Sequence, residues 1–233
     1  VKKLAIFVEG QTEQIFVEQL LKEIAGRNNI SIEVRSINGK QGNRITTVIA
    51  SDPLISTTKF HVLVYNSGSD NNVVSDMRDM YNSLSASGYE RIIGLRDVYP
   101  ISMSDKVKLE RGLRYSLPKG VIPIDVVLAV MEIEAWFLAE WNHFLKIDVR
   151  LTPENIQANF GFNPKIDDME ARHHPADDLH QIYKLVGRSY KKSRNQVNTI
   201  VSNLDYDFMY VELVNNVISF GEFIKLINLF ISY

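Results

Sequence analysis

Leu4-Ala5-Ile6-Phe7-Val8-Glu9-Gly10-Gln11-Thr12-Glu13 joins an unbroken apolar run to an acid, a glycine and a second acid. An apolar run without polar alternation reads as a strand covered on both faces, the habit of parallel sheets. Gly10 permits a turn out of it, and Phe16, Val17, Leu20, Leu21 and Ile24 predict a helix over Glu13 to Ala25 with one apolar face. Two carboxylates thus stand at the carboxyl end of a strand, where open α/β sheets bind their ligands.

The same alternation continues outward. Strands are predicted at Lys3 to Val8, Ser31 to Ile37, His61 to Tyr65, Arg91 to Arg96 and Ile124 to Met131, with helices at Arg44 to Ala50 and Val73 to Ser85. Turn chemistry falls between them at Asn38-Gly39-Lys40-Gln41-Gly42, Asn66-Ser67-Gly68-Ser69-Asp70 and Val98-Tyr99-Pro100. Ser104 to Tyr115 reads as a helix outside the sheet. Beyond Ile133 the strands stop, and helices are expected at Ile133 to Trp141, Pro153 to Asn159, Asp177 to Val186, Lys192 to Leu204 and Ser219 to Ile231. The expected fold class is α/β: a doubly wound, mainly parallel sheet with helices on both faces over residues 1–140, and a mainly helical portion, 141–233, packed on it.

The chain has 233 residues, of which 45% are hydrophobic, enough for a substantial core. Its 26 basic and 28 acidic residues give a net charge of -2, so any nucleic-acid site must be a local patch rather than a global field. There is no cysteine, which excludes disulfides, thiolate metal sites and thiol nucleophiles. No apolar stretch approaches the roughly 20 residues of a membrane span, and a cytoplasmic, bacterial-type protein without a membrane partner is expected.

Strand ends far apart in sequence meet along one sheet edge, and several of them carry acids. Glu9 follows the first strand, with Glu13 four residues on; Asp70 follows the third, Asp97 the fourth, and Glu132 and Glu134 the fifth. Singly, each has an ordinary explanation. Glu13 favours a helix N-terminus, Asp97 can cap a turn, Glu132 and Glu134 can sit on a solvated helix start, and Asp70 suits a turn or N-cap. Together they would repel in a cleft, and a divalent cation with oxygen ligands, Mg²⁺ or Mn²⁺, relieves that repulsion. The commonest chemistry of such a site is phosphoryl transfer.

Arg188-Ser189-Tyr190-Lys191-Lys192-Ser193-Arg194 carries four cations, no acid and an aromatic able to stack on a base. Lys106, Lys108, Arg111, Arg114 and Lys119 form a second excess, diluted by Glu110. His173-His174-Pro175 with Asp177, Asp178 and His180 reads as a loop and helix cap rather than a zinc site, because adjacent histidines diverge and no tetrahedron is completed. The glycines match neither a dinucleotide nor a Walker pattern, so ATP binding by this chain is not expected. Trp136, Phe137, Trp141 and Phe144 have the spacing of a core-facing helix. The apolar face of Phe220, Phe223, Ile224, Ile227, Phe230 and Ile231 suits either the core or a homodimer seam.

Glu9-Gly10-Gln11-Thr12-Glu13 after an apolar strand resembles the Glu-Gly motif of Toprim domains, found in topoisomerases, primases and overcoming-lysogenization-defect (OLD) nucleases. Ile92-Ile93-Gly94-Leu95-Arg96-Asp97-Val98-Tyr99 is similar to the strand bearing the Toprim Asp-x-Asp pair, with Tyr99 in place of the second aspartate. The Glu-x-x-x-Glu spacing and Glu132-Ile133-Glu134 are nearest the OLD branch. Glu132 to Trp136 and Tyr190-Lys191-Lys192 resemble a group of bacterial Toprim-related proteins often encoded beside an ATPase. The resemblance implies a metal-dependent nuclease acting on nucleic acid, in bacterial defence and with an ATPase partner. It makes Glu9 a metal ligand or general acid/base and Glu13, Asp97, Glu132 and Glu134 metal ligands, with Lys191 or Lys192 at the scissile phosphate. Tyr99 is a poor ligand for a hard cation. The alternative is therefore a degenerate, non-catalytic Toprim protein serving as a nucleic-acid-binding or protein-interaction module.

Overall fold

Five of the apolar runs, and one segment predicted otherwise, form a single six-stranded sheet in the computed structural model, which describes residues 1–39 and 45–232. The strands are β1 (Lys2–Val8), β2 (Ile30–Asn38), β3 (Ile45–Ser51), β4 (Phe60–Asn66), β5 (Arg91–Asp97) and β6 (Ile124–Ala129), in the order β3-β2-β4-β1-β5-β6. β1 lies between β4 and β5 and runs parallel to both, while β2 is parallel to β4. The bonds Ile92 N–H to Pro123 O and Val98 N–H to Ala129 O keep one offset, which sets β6 parallel to β5. Central position explains the apolar run: Leu4 to Val8 are fully buried, and Phe7 stacks on Tyr65 with ring centroids 4.7 Å apart.

Helix α1 (Gln11–Ala25) connects β1 to β2, and α2 (Asp70–Ala86) connects β4 to β5. The first connection moves toward the β3 edge and the second toward the β6 edge. Right-handed crossovers in opposite directions cover opposite faces, so the winding reverses between β1 and β4, beside Glu9. α1 buries Phe16, Val17, Leu20 and Leu21 completely, the face expected from their spacing. On β5, Gly94 is required by packing: a Cβ there would lie 2.5 Å from Met77 Sδ of α2.

The predicted helix Arg44 to Ala50 is overturned, since residues 45–51 form β3, antiparallel to β2 with Ile37 opposite Thr46 and Glu33 opposite Ser51. Thr46, Thr47, Val48 and Ile49 are β-branched, and their stiff χ1 angles suit an extended chain better than a helix. Every residue of β3 is exposed. Arg44 and the turn residues Lys40, Gln41 and Gly42 lie outside the described residues. Two smaller corrections concern ends. Asp70 is the first residue of α2, not a loop or cap residue, and pairs with Arg96 at 3.1 Å; β6 stops at Ala129, and the chain turns away at Met131, which is left-handed with φ 59°.

By contact density the chain forms two compact units. One comprises Val1–Arg96, Ser104–Leu128 and Lys225–Tyr233; the other comprises Asp97–Met103 and Ala129–Ile224. The first holds most of the sheet, α1, α2 and α3 (Lys106–Ser116), the expected outlying helix, which buries none of its residues. The second is built from α4 (Glu134–Ala139), α5 (Asn142–Ile147), α6 (Pro153–Phe160), α7 (Pro175–Lys184), α8 (Arg194–Val201) and a helical stretch Tyr206–Asn216 with a π-helical centre. Its core contains Trp136, Phe137, Phe144, Phe220 and Phe223, all fully buried, with Trp136 Nε1 donating to Ser219 Oγ at 2.8 Å. A last helix, Ile218–Ile231, closes the chain. No single helix among the described residues is long and apolar enough to cross a membrane.

Candidate metal centre

Past their formal ends, β5 and β6 stay paired: Val98 N–H donates to Ala129 O at 3.0 Å and Tyr99 N–H to Met131 O at 2.8 Å. Met131, at positive φ, then turns the chain so that Ile133 N–H donates to Asp97 Oδ1 at 3.0 Å. Glu132 lies on that turn and Glu134 opens α4. The result brings three carboxylates from two adjacent strand ends to one place, with Asp97 6% exposed and Glu134 fully buried.

Among the described residues this trio is the one cluster that could hold a metal ion: one oxygen each from Asp97, Glu132 and Glu134 lies within 4.8 Å of the others. Oxygens on opposite sides of a cation with bonds of about 2.1–2.4 Å are about 4.2–4.8 Å apart, so the spacing fits one ion without rearranging the backbone. The donors are all hard oxygens, which favour a hard divalent cation over zinc or copper.

A protein cation already reaches two of these acids. Lys192 Nζ is 3.1 Å from Glu132 Oε1 and 3.1 Å from Glu134 Oε2. Tyr190 OH donates to Glu134 Oε1 at 2.6 Å, and the backbone N–H of Ala176, in the first turn of α7, donates to Glu132 Oε2 at 3.0 Å. Burial pushes the Glu134 carboxyl above its ordinary pKa, against the lowering influence of Lys192 and of the Tyr190 hydrogen bond. Burial would lower Lys192, but Glu134, Glu132 and Asp97 outweigh it and hold the ammonium above 10.5. Among the described residues, Met131 and Lys192 are the two non-glycine residues at positive φ, 59° and 54°. Both flank this cluster, and such conformations persist only where the surroundings enforce them.

Of the residues singled out from sequence, Asp97, Glu132, Glu134 and Lys192 are brought together. Glu134 is no solvated helix start, because its whole side chain is buried. Lys191 points elsewhere: it is exposed, and its N–H donates to Gln196 Oε1 at 2.8 Å. Tyr99 is 42% exposed, its ring edge-on to His174 with centroids 5.8 Å apart. Glu9 and Glu13 belong to the other unit, where Glu13 is buried and accepts from Gly10 N–H at 2.8 Å, satisfying a backbone donor at the start of α1. In the second basic excess, Arg114 pairs with Glu110 at 2.6 Å. Sequence reasoning did not assign a role here to the Tyr190 hydroxyl or the Ala176 amide. The Tyr-x-Lys spacing was the only signal for the first; a backbone donor leaves none.

The family model described as a domain of unknown function (DUF4276) matches residues 8–211, and the chain belongs to that family. The match takes in the whole cluster, from Asp97 to Lys192. No curated protein and no solved structure matches the chain.

Proposed function

We propose that this DUF4276 member is a Mg²⁺- or Mn²⁺-dependent phosphoryl-transfer enzyme that cleaves nucleic acid. One observation carries the reading: carboxylate oxygens of Asp97, Glu132 and Glu134 gather within 4.8 Å, at the spacing and with the donor chemistry of a hard divalent cation. A bound ion of this kind would neutralise phosphate oxygens and the charge that grows on them during displacement. The chain's own residues do the remaining work. Asp97 is oriented by Ile133 N–H, Glu132 by Ala176 N–H and Glu134 by Tyr190, so the ligands are held in place before any ion arrives. Lys192, once its ammonium leaves the carboxylates, is within a side chain's reach of a phosphate bound there and offers it a positive charge. The Toprim resemblance is the source of an ATPase partner and a defence role.

One observation favours a second reading. The Lys192 ammonium contacts two of the acids, and a cluster closed by its own cation serves a non-catalytic binding module equally well.

The deciding experiment incubates the protein, alone and with any ATPase encoded beside it, with plasmid, single-stranded DNA and RNA in Mg²⁺ or Mn²⁺, and measures Mn²⁺ binding by calorimetry. Cleavage that needs the metal and disappears in Asp97→Asn and Glu134→Gln supports the enzyme. Absence of both cleavage and Mn²⁺ binding overturns it in favour of the binding module.

A further inference from the structure

Next to the carboxylates lies a cavity that the metal centre does not use. It encloses about 240 Å³. Tyr183 and Tyr190 line it together with the aliphatic Ile147 and Ile200, and Arg188 and Thr199 add polar groups. The two tyrosines are fixed from behind. Tyr190 donates to Glu134 at 2.6 Å, and the Tyr183 hydroxyl lies 3.0 Å from His143 Nε2. His143 is in turn held through Nδ1 by the backbone carbonyl of Glu140, 2.5 Å away, and both residues are fully buried. With Nδ1–H donating to that carbonyl, Nε2 is the acceptor and Tyr183 the donor. Burial holds the Tyr183 phenol well above its ordinary pKa. Both phenols are therefore anchored before a ligand enters.

Their shape and chemistry suit a flat, partly polar ring. A cavity of this volume lies just below the roughly 300–1,000 Å³ of sites for drug-sized ligands, which leaves room for one ring system and little more. Arg188 supplies a cation. Its field reaches Asp148, yet that carboxylate is already gripped by Arg150 through bonds of 2.9 and 2.9 Å, so an incoming anion can compete for Arg188. Tyr190 ties the cavity to the metal centre: its ring forms a wall of one, and its hydroxyl holds a ligand of the other.

We infer that this cavity is a nucleobase subsite, which takes the unstacked base of a nucleotide whose phosphate lies at the carboxylates, with Arg188 holding an adjacent phosphate. The assignment rests on the phosphoryl-transfer reading and makes its substrate a single-stranded or locally opened nucleic acid, because a base must leave its stack to enter.

Calorimetric titration of the whole protein with AMP, CMP, ribose 5-phosphate and inorganic phosphate, with EDTA present, tests it, alongside Thr199→Phe, which fills the cavity, and Arg188→Ala. The expected result is that at least one mononucleotide binds ten-fold or more tighter than ribose 5-phosphate. Thr199→Phe removes that difference while Mn²⁺ binding stays at the wild-type level, and Arg188→Ala weakens both phosphate esters. Equal binding of nucleotide and ribose 5-phosphate overturns the subsite, as does undiminished nucleotide binding by a folded Thr199→Phe protein. Intact Mn²⁺ binding in either of those cases leaves the metal centre standing. Nucleotide binding without Mn²⁺ binding supports the subsite and refutes the metal centre.

Discussion

Replacing Lys192 with methionine keeps its aliphatic stem and removes the ammonium from Glu132 and Glu134. At the observed 3.1 Å, each contact carries a Coulomb attraction of about 5 kcal/mol at an effective dielectric of about 20, before the cost of desolvation. Breaking a fully buried pair destabilises by about 3–5 kcal/mol and an exposed one by about 0.2–1 kcal/mol. The Lys192 side chain is 40% exposed while Glu134 is fully buried, so solvent screening places the loss between these limits, at about 2 kcal/mol. For a domain of this size that lowers the melting temperature by about 4–8 °C. A divalent cation should reverse the effect, because it meets three acids without a competing ammonium. Lys192→Met is expected to bind Mn²⁺ about ten-fold or more tighter than wild type, a difference of about 1.4 kcal/mol. Saturation at about 100 times the dissociation constant then adds about 2.7 kcal/mol of stability. Differential scanning fluorimetry with EDTA and with a Mn²⁺ series reads both quantities. Two results would refute the reasoning: a metal-free variant as stable as wild type, or a Mn²⁺-induced rise no larger in the variant than in wild type.

Gly94→Ala should cost about 1–3 kcal/mol through overpacking against Met77. In urea melts its effect should shrink markedly when combined with Met77→Ala; strict additivity of the two would show that they do not share the space. His61 gives a pH test. Burial lowers its pKa below the ordinary 6.5, so the folded state prefers the neutral ring. Its contribution is intact above pH 6.5 and is lost as pH falls through the lowered folded value. The urea midpoint of His61→Gln should therefore fall less than that of wild type between pH 7 and pH 5, and parallel curves would contradict the assignment.

How much could be read from the chain follows from what each element depends on. β1 was legible because burial on both faces demands an apolar run, and α1 because its face repeats at helical spacing. β3 was misread because a parallel-sheet scheme requires a helix after β2, whereas Ile45 to Ser51 instead pairs back onto β2 as an edge. Three acids of the candidate site could be anticipated from the convergence of strand ends. Lys192 could not be separated from Lys191 before its left-handed backbone was seen, because that conformation turns one lysine toward the acids and leaves its neighbour in solvent. The roles of Ala176 and Tyr190 depend on the tertiary placement of α7 and of the segment before α8, which no local pattern encodes.

The two left-handed residues also bear on how the protein can be improved. Glycine at Met131 or Lys192 would relieve a backbone conformation that costs of order 1–3 kcal/mol, though at Lys192 that relief is offset by the loss of the ion pairs with Glu132 and Glu134. At Met131 the same change would loosen the turn that aims Glu132 and Glu134, and at Lys192 it would delete the ammonium. Backbone relief and metal-site geometry are thus opposed at Met131, where a variant stabilised by glycine would be one in which the carboxylates have lost their alignment.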